Sequence, residues 1–477
     1  MLLPLPVVVP LALAVAVYLT PSRLWRPRLL ALGAAIHLLL VGLALRAPAG
    51  SGGDWLRLDA PGRLLLLLVS VLFLVCAVYA VGYLEQRPER ENRRFTACML
   101  AVLGAMSLVA YAQHLGLLWV GIEATTLASA PLVYFNRSAR SIEATWKYLL
   151  ISSVGIALAL LGSFFVGYAA LLGGGEASLL FPDLLARAGE LSRPWLRTGF
   201  ALLLVGYGTK MGLAPMHTWK PDAYGEAPGV VGAVLAGGLT SCAFLALLRF
   251  TQLTAAAGEG IYANRLLIAI GLLSMGVAAA LLLGQRDLKR MLAYSSVEQM
   301  GILALAAGLG AAATFAALLH LVLNAFGKAG LFLAAGNLHR AFGGKTTGEI
   351  RGALRRLPYS GTVFLFGLFA ITGSPPFGLF VSKLLIVQTA LAAGRGWLAA
   401  LFVALLLLVF AGMGTTTFAA LQGRPTAYAR QSAYRDRTRG YLPPLLLVAL
   451  VLLLGLHLPA SLRGLLAEAA AALGGGR

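Results

Sequence analysis

Long apolar runs alternate with short polar stretches along nearly the whole chain. Runs of about 17–25 apolar residues match a bilayer-crossing helix, in which every backbone group is satisfied internally. A membrane β-barrel would instead show short segments of alternating polarity. The pattern predicts fourteen spans, at about 3–20, 28–46, 62–84, 95–112, 114–135, 143–172, 197–224, 228–250, 265–285, 287–309, 311–339, 358–392, 397–421 and 441–461. Two of them, 197–224 and 358–392, contain prolines that interrupt a helix. The expected fold is an all-α polytopic membrane protein with about 14 transmembrane helices.

Composition points the same way. Of 477 residues, 59% are hydrophobic and only 12% charged, against roughly 25% charged in soluble domains. The N-terminus enters an apolar run with no charged leader region and no A-x-A site, so it reads as a first span. The net charge of +20 is not a nucleic-acid signal, because the basic residues fall in short loops between apolar runs. Loops after odd-numbered spans hold 23 of them, from Arg23 to Arg439, and loops after even-numbered spans hold nine. Positive-inside then places the odd loops in the cytoplasm and both termini outside. Lys220, Lys289 and Lys345 are counted among those cytoplasmic loops, and the stretch 340-RAFGGKTTGEIRGALRR reads as a topology anchor or a partner-docking loop. Cys76, Cys98 and Cys242 lie in apolar runs without metal-ligand spacing and read as packing residues. There is no CxxC, GxGxxG or P-loop, so no cofactor is expected on this chain; a quinone contact stays open.

Lysine usage adds something that hydropathy does not. Only seven of the 38 Lys and Arg residues are Lys. Four of the seven, Lys147, Lys210, Lys328 and Lys383, fall inside spans, whereas every Arg is read as lying outside them. Arg is effectively never deprotonated, while Lys readily changes its proton affinity on burial. The inner positions therefore need a cation that can lose its proton. The competing reading, that Lys snorkels near helix ends, suits Lys147 but not Lys328, which lies near the middle of its span. Acids accompany the lysines: Glu123 in the fifth span, Glu298 in 292-LAYSSVEQMGIL, and Glu143, one turn before Lys147 and on its face. His320, Asn324 and Lys328 share a face of one helix. Ionisable groups at membrane depth are expensive and usually paired, and this set has the composition of a proton path.

The interrupted spans carry lysines too. Lys210 precedes Pro215 in 207-YGTKMGLAPMHTWKPDAYGEAPG-229, and Lys383 follows Pro375 and Pro376 in 369-FAITGSPPFGLFVSK. G-x-x-P occurs at both breaks, from Gly212 and from Gly373. The breaks lie five spans apart, so 94–252 and 264–421 can be two five-span units. An odd number of spans inverts the second copy, a recurring transporter design. A three-helix segment (1–93) precedes them, and a last span with a tail (422–477) follows. The alternative is a pair of ordinary proline kinks. His217 either lines a path or caps the break. Asp222 and Glu226 are expected in a solvated loop, and His37, His114, His339 and His457 in structural roles.

The stretches 117-LLWVGIEATTL, 209-TKMGLAPMHTWKPDAYGEAPGVVGAVLAG, 287-DLKRMLAYSSVEQMGIL, 320-HLVLNAFGKAGLFLAAGNLH and 372-TGSPPFGLFVSK resemble the antiporter-like subunits of respiratory complex I and of membrane-bound hydrogenases. The resemblance covers most of the chain. It implies fourteen spans in a prokaryotic plasma membrane, two inverted repeats, and broken seventh and twelfth helices. It also implies a coupling pair Glu123–Lys210, inner residues His320 and Lys328, and an exit at Lys383. This sequence departs from the family in three places. A lysine expected in the eighth helix aligns with Ser241, the second histidine of an H-A-x-x-K element is Asn324, and Glu298 is not general. The inner relay is thus expected either to run through water, Ser241 and Glu298 or to be weakened. The SSVEQMG form and the length resemble component F of hydrogenase-4-type complexes, and the tail 462-LRGLLAEAAAALGGGR is too short for the lateral helix of the complex I subunit L type. The implied function is proton translocation without a redox site of its own. The implied partners are membrane and hydrophilic subunits of a group 4 [NiFe] hydrogenase, a formate hydrogenlyase or a complex I-like NADH dehydrogenase. A multisubunit Na⁺/H⁺ antiporter and a non-pumping scaffold are the alternatives.

Overall fold

A computed structural model describes residues 4–174 and 178–474, so residue 3, where the first span is expected to begin, lies outside the described residues. Helices α1 (Leu5–Leu19), α2 (Trp25–Ala44), α3 (Ala60–Glu85), α4 (Arg93–Tyr111), α5 (Leu115–Val133) and α6 (Ala139–Leu172) come first. A two-stranded hairpin, β1 (Ser51–Gly52) and β2 (Arg57–Leu58), sits between α2 and α3, with Ser51 opposite Leu58. Then follow α7 (Phe181–Ala186), α8 (Arg193–Met211), α9 (Trp219–Glu226), α10 (Gly229–Val234) and α11 (Thr240–Thr254). The remainder comprises α12 (Gly260–Leu282), α13 (Leu288–Gly308), α14 (Ala311–Phe342), α15 (Ala353–Arg356), α16 (Pro358–Thr372), α17 (Gly378–Ala392), α18 (Gly396–Leu421), α19 (Ala427–Gln431), α20 (Thr438–Leu456) and α21 (Ala460–Leu473). Helices thus cover the expected apolar runs. Among the described residues, nine helical runs are long and apolar enough to cross a membrane, the stretch from α10 to α12 counting as one. Within that stretch Gly258, at φ 80°, turns the chain between α11 and α12.

Helix α14 is the centre of the bundle. Its most apolar 18-residue window is completely buried, and α3, α10, α13, α16, α17, α20 and α21 pack around it. A helix that is apolar on every side belongs in a protein interior. Polar residues near its middle, such as His320 and Lys328, therefore have no route to water along their own helix. Outer helices present large apolar side chains instead, among them Leu127, Leu150, Val154 and Leu407. That surface suits a solvent of lipid tails.

Both interrupted spans break in one way. Helix α8 ends at Gly212 (φ 75°) and α16 at Gly373 (φ 82°), each in the left-handed conformation that glycine adopts without strain. The next residue bonds back five positions, Leu213 N to Gly208 O at 2.8 Å and Ser374 N to Phe369 O at 2.9 Å. Three residues after each glycine comes a cis proline, Pro215 or Pro376. The freed backbone groups find specific partners. The Trp219 indole donates to Thr209 O (2.9 Å), Lys220 Nζ to Met211 O, and the Ala214 amide to Ser274 Oγ (2.9 Å). At the second break Lys383 Nζ donates to Ile371 O (3.2 Å) and Thr372 O (3.0 Å), and Gln299 Nε2 also reaches Ile371 O (3.1 Å). A proline kink with only apolar packing would leave these carbonyls unpaired, which is costly at membrane depth.

One expectation about arginine is overturned here. Arg249 lies within α11 and is buried, so not every Arg sits outside the helices that cross the bundle. Its Nη2 contacts both oxygens of Asp59, at 2.9 and 3.0 Å, and Nη1 donates to Ala112 O. Asp59 also caps α3 by accepting from the Gly62 amide at 2.9 Å. A fixed charge is tolerable there because both terminal nitrogens are engaged, although Nε has no partner among the described residues. The loop after α14 is likewise tied to the chain itself. Arg340 donates to Gln86 O, and Arg356 to Ala429 O, Ser432 O and Tyr434 O. Asp59→Ala strips the counter-charge from a buried guanidinium and is expected to cost about 3 kcal/mol. Thermal unfolding in detergent measures this, and Asp59→Ala combined with Arg249→Met should recover most of the loss.

Candidate functional site: a buried lysine array

The division of labour between Lys and Arg is sharper in the structure than along the chain, and it involves different residues. Five of the seven lysines are buried (Lys210, Lys220, Lys289, Lys328 and Lys383), against two of the described arginines, Arg26 and Arg249. Three placements are thereby corrected. Lys147 is not interior: its side chain is 45% exposed, held between Glu143 (2.7 Å) and Asp222 (3.0 Å). Glu143, on the same exposed face of α6, leaves the interior with it. Lys220 is not in a solvated loop: it is 0% exposed, on the first turn of α9. Lys289, in the first turn of α13, is buried with Nζ 2.9 Å from Ala227 O. Hydropathy misplaced the last two because prolines or polar neighbours surround them. The chain's own habit of writing Arg in loops was the signal that could have found them.

Asp222 and Glu226 are also not free loop residues. They stand on α9, where Asp222 bridges Lys147 and Arg290 (2.8 Å) and Glu226 pairs with Lys345 at 2.5 Å. These pairs tie α6, α9, α13 and the loop after α14 together at one end of the broken helix.

The expected pair Glu123–Lys210 forms. Lys210 is fully buried at the end of α8, with Nζ 3.5 Å from Glu123 Oε2 on α5. The same ammonium donates to Thr126 Oγ1 and lies 5.9 Å from the centroid of the Tyr148 ring. Glu123 keeps 16% of its side chain exposed, so one member of the pair faces outward and the other faces in.

The second group is organised around Glu298 rather than around α14. Glu298 is completely buried on α13. Its Oε1 is 3.6 Å from Lys383 Nζ, and its Oε2 accepts from Gln299 Nε2 at 2.6 Å. Lys328 lies within electrostatic reach of Glu298 and of Lys383, and its Nζ donates to Leu292 O at 3.3 Å. His320 does not touch Lys328. Its Nε2 is 2.7 Å from Gln299 Oε1 and its Nδ1 is 2.9 Å from Ser382 Oγ. Because the Gln299 amide nitrogen is already given to Glu298 and Ile371, its oxygen accepts, and His320 Nε2 carries a proton. Glu298 therefore gathers Lys328, Lys383 and, through Gln299, His320. Gln299 and Ser382 did not stand out in the sequence, since neither titrates and only packing brings them to His320.

Three residues occupy lesser places. Ser241 Oγ donates to Gly237 O at 2.6 Å, within a wide turn of the helix at Leu235–Leu239, so its only proton is engaged. Asn324 is buried, and its Oδ1 has no hydrogen-bond partner. His217 lies half-buried in the first break, 3.2 Å from Pro215 O. Near Lys383 a cavity of about 420 Å³ opens between α16, α17 and α18, lined by Thr372, Ser374, Pro375, Lys383 and Phe410. It gives the second group an opening to the outer surface of the bundle.

Buried ammonium groups in series, two of them paired with carboxylates, can hold and pass protons, and comparison with known proteins points the same way. The model of the family described as "NADH:quinone oxidoreductase/Mrp antiporter, TM" matches residues 112–409. A hydrogenase-4 component F homolog of Methylacidiphilum infernorum is 36% identical over 349 residues, 71% of this chain and 73% of that protein. NADH-quinone oxidoreductase subunit N of Desulforudis audaxviator is 33% identical over 377 residues, 77% of this chain and 72% of its own. A chain of respiratory complex I from Thermus thermophilus superposes with a TM-score of 0.84 at 26% identity, covering 100% of both chains. The chain belongs to the NADH:quinone oxidoreductase/Mrp antiporter membrane family.

Proposed function

We propose that this chain is the proton-translocating membrane subunit of a redox complex, either group 4 hydrogenase-like or complex I-like, and that the redox arm is carried by partner subunits. What supports the reading is the array itself: Lys210, Lys328 and Lys383 lie inside the bundle, served among the described residues by two carboxylates, Glu123 and Glu298. An unpaired charge in such surroundings is strongly disfavoured, so the proton count of the array depends on where the carboxylates sit. Protons reach Lys210 from the cytoplasmic side. A neighbouring subunit draws Glu123 away, Lys210 releases its proton inward, Lys328 receives it, and the proton leaves near Lys383.

The energies are compatible. Moving one charge across 100 mV costs about 2.3 kcal/mol, and a change in proton affinity of about a hundredfold supplies about 2.7 kcal/mol. The same reading takes the chain as fourteen spans, with repeats at 94–252 and 264–421 and both termini outside. The shared geometry at Gly212 and Gly373 favours the repeats.

The family description favours a second reading, a subunit of an Mrp-type Na⁺/H⁺ antiporter. Sodium prefers several oxygen ligands, and the carboxylates Glu123 and Glu298, each engaged with a lysine, do not form an oxygen cage. Inverted vesicles separate the two: the redox reading expects a pH gradient that follows electron donor and ignores Na⁺. A gradient that collapses on adding NaCl without any donor would transfer the chain to the antiporter class.

Lys210→Arg keeps the charge but cannot release its proton. Donor-driven proton uptake in those vesicles is expected to fall by roughly a hundredfold, the scale of a lost acid–base group. Normal pumping by Lys210→Arg would sink the lysine-relay idea. Glu298→Gln leaves Lys328 and Lys383 without a carboxylate. A comparable loss of protons translocated per electron is expected, with the complex still assembled on native gels. A coupling ratio unchanged in Glu298→Gln would instead support the scaffold reading.

A further inference from the structure

Lys220 has no assigned role in this relay, yet it is sealed within the bundle. It is 0% exposed. Its Nζ donates to Met211 O and lies 5.7 Å from the centroid of the Tyr224 ring, and among the described residues no carboxylate comes within 4.0 Å of it. Its chain runs over the first break so closely that a Cβ at Gly212 would lie 2.4 Å from Lys220 Cδ. Met211, which holds the ammonium, is the residue next to Lys210. On the other side α9 packs against α13, whose Leu292 O holds the Lys328 ammonium.

Its counterpart at the second break is Lys383. There too a lysine follows the cis proline, folds back over the left-handed glycine, and donates to carbonyls at the end of the half-helix before it. A Cβ at Gly373 would lie 2.9 Å from Lys383 Cδ. By geometry, then, Lys383 corresponds to Lys220 and not to Lys210. The two differ in one respect: Lys383 has Glu298, while Lys220 has only a carbonyl dipole and a ring face. A group so placed can accept a proton from a neighbour, but nothing beside it would retain the charge.

We propose that Lys220 is the relay station between Lys210 and Lys328. The Lys220 amine takes the proton that leaves the Lys210 ammonium, and it then yields that proton to the Lys328 amine. Each step breaks one N–H bond, forms another, and leaves the total charge unchanged. Ser241 does not titrate, and its hydroxyl donates to Gly237 O. The inference rests on the proton-relay reading above.

The test uses the whole complex in proteoliposomes, with electron transfer and internal pH recorded on the same sample. Lys220→Met removes the titratable group, and Lys220→Arg keeps the charge and the donor to Met211 O but cannot cycle. Both are expected to lower protons translocated per electron by roughly a hundredfold. Wild-type coupling in Lys220→Arg overturns the proposal, because a fixed cation closing the break would then suffice. Wild-type coupling in Lys220→Met overturns it as well. Should Lys220→Met fail to assemble, Lys220→Arg carries the decision. Lys210→Arg is measured in parallel. If it pumps normally, the underlying relay fails, whereas a dead Lys210→Arg beside a normal Lys220→Arg removes Lys220 alone.

Discussion

An ammonium group in the middle of a bilayer must find a carboxylate, find carbonyl oxygens, or give up its proton. That constraint organises this protein. The bundle is wound around a helix, α14, that is enclosed on every side, and it places charge where lipid and packed side chains leave no water to stabilise it. The buried lysines are compensated unequally. Lys210 has Glu123, Lys383 has Glu298 together with two carbonyls, Lys328 has the more distant Glu298 and one carbonyl, and Lys220 and Lys289 have a single carbonyl each.

The broken helices make that gradation possible. An intact helix commits its carbonyls internally, so an ammonium group can only share one, as Lys328 shares Leu292 O. Ending α8 and α16 at left-handed glycines exposes the negative ends of two helix dipoles inside the protein. Lysines then fold back onto those ends. The prolines keep the chain from resuming the same helix, and partners such as Ser274 and Trp219 close the remaining groups. A break of this kind is both a structural solution and a cation site.

The surface pairs behave differently. Glu143, Lys147, Asp222 and Arg290 form a chain of exposed ion pairs. Such pairs contribute little to stability individually. Their position across α6, α9 and α13 fixes one end of the first broken helix relative to its neighbours, which is a geometric role rather than an energetic one.

The sequence by itself determined the helical runs, the two interruptions and the pair Glu123–Lys210, because hydropathy, proline and the scarcity of lysine are local signals. It also carried, without its being used, the sign that Lys220 and Lys289 are special, since a chain that writes Arg in its loops wrote Lys there. What only the tertiary structure decided is which ionisable groups are inside. Lys147 sits inside an expected span, near its start, yet is exposed, since its side of α6 faces outward. Lys220 sits among prolines and polar residues yet is sealed, since the break folds α9 into the bundle. The gathering of Lys328, Lys383 and His320 about Glu298 and Gln299 joins α13, α14 and α17, and no periodicity within one helix encodes a meeting between three. Burial of charge is a property of the packing around a residue, and a linear pattern reports only the residue.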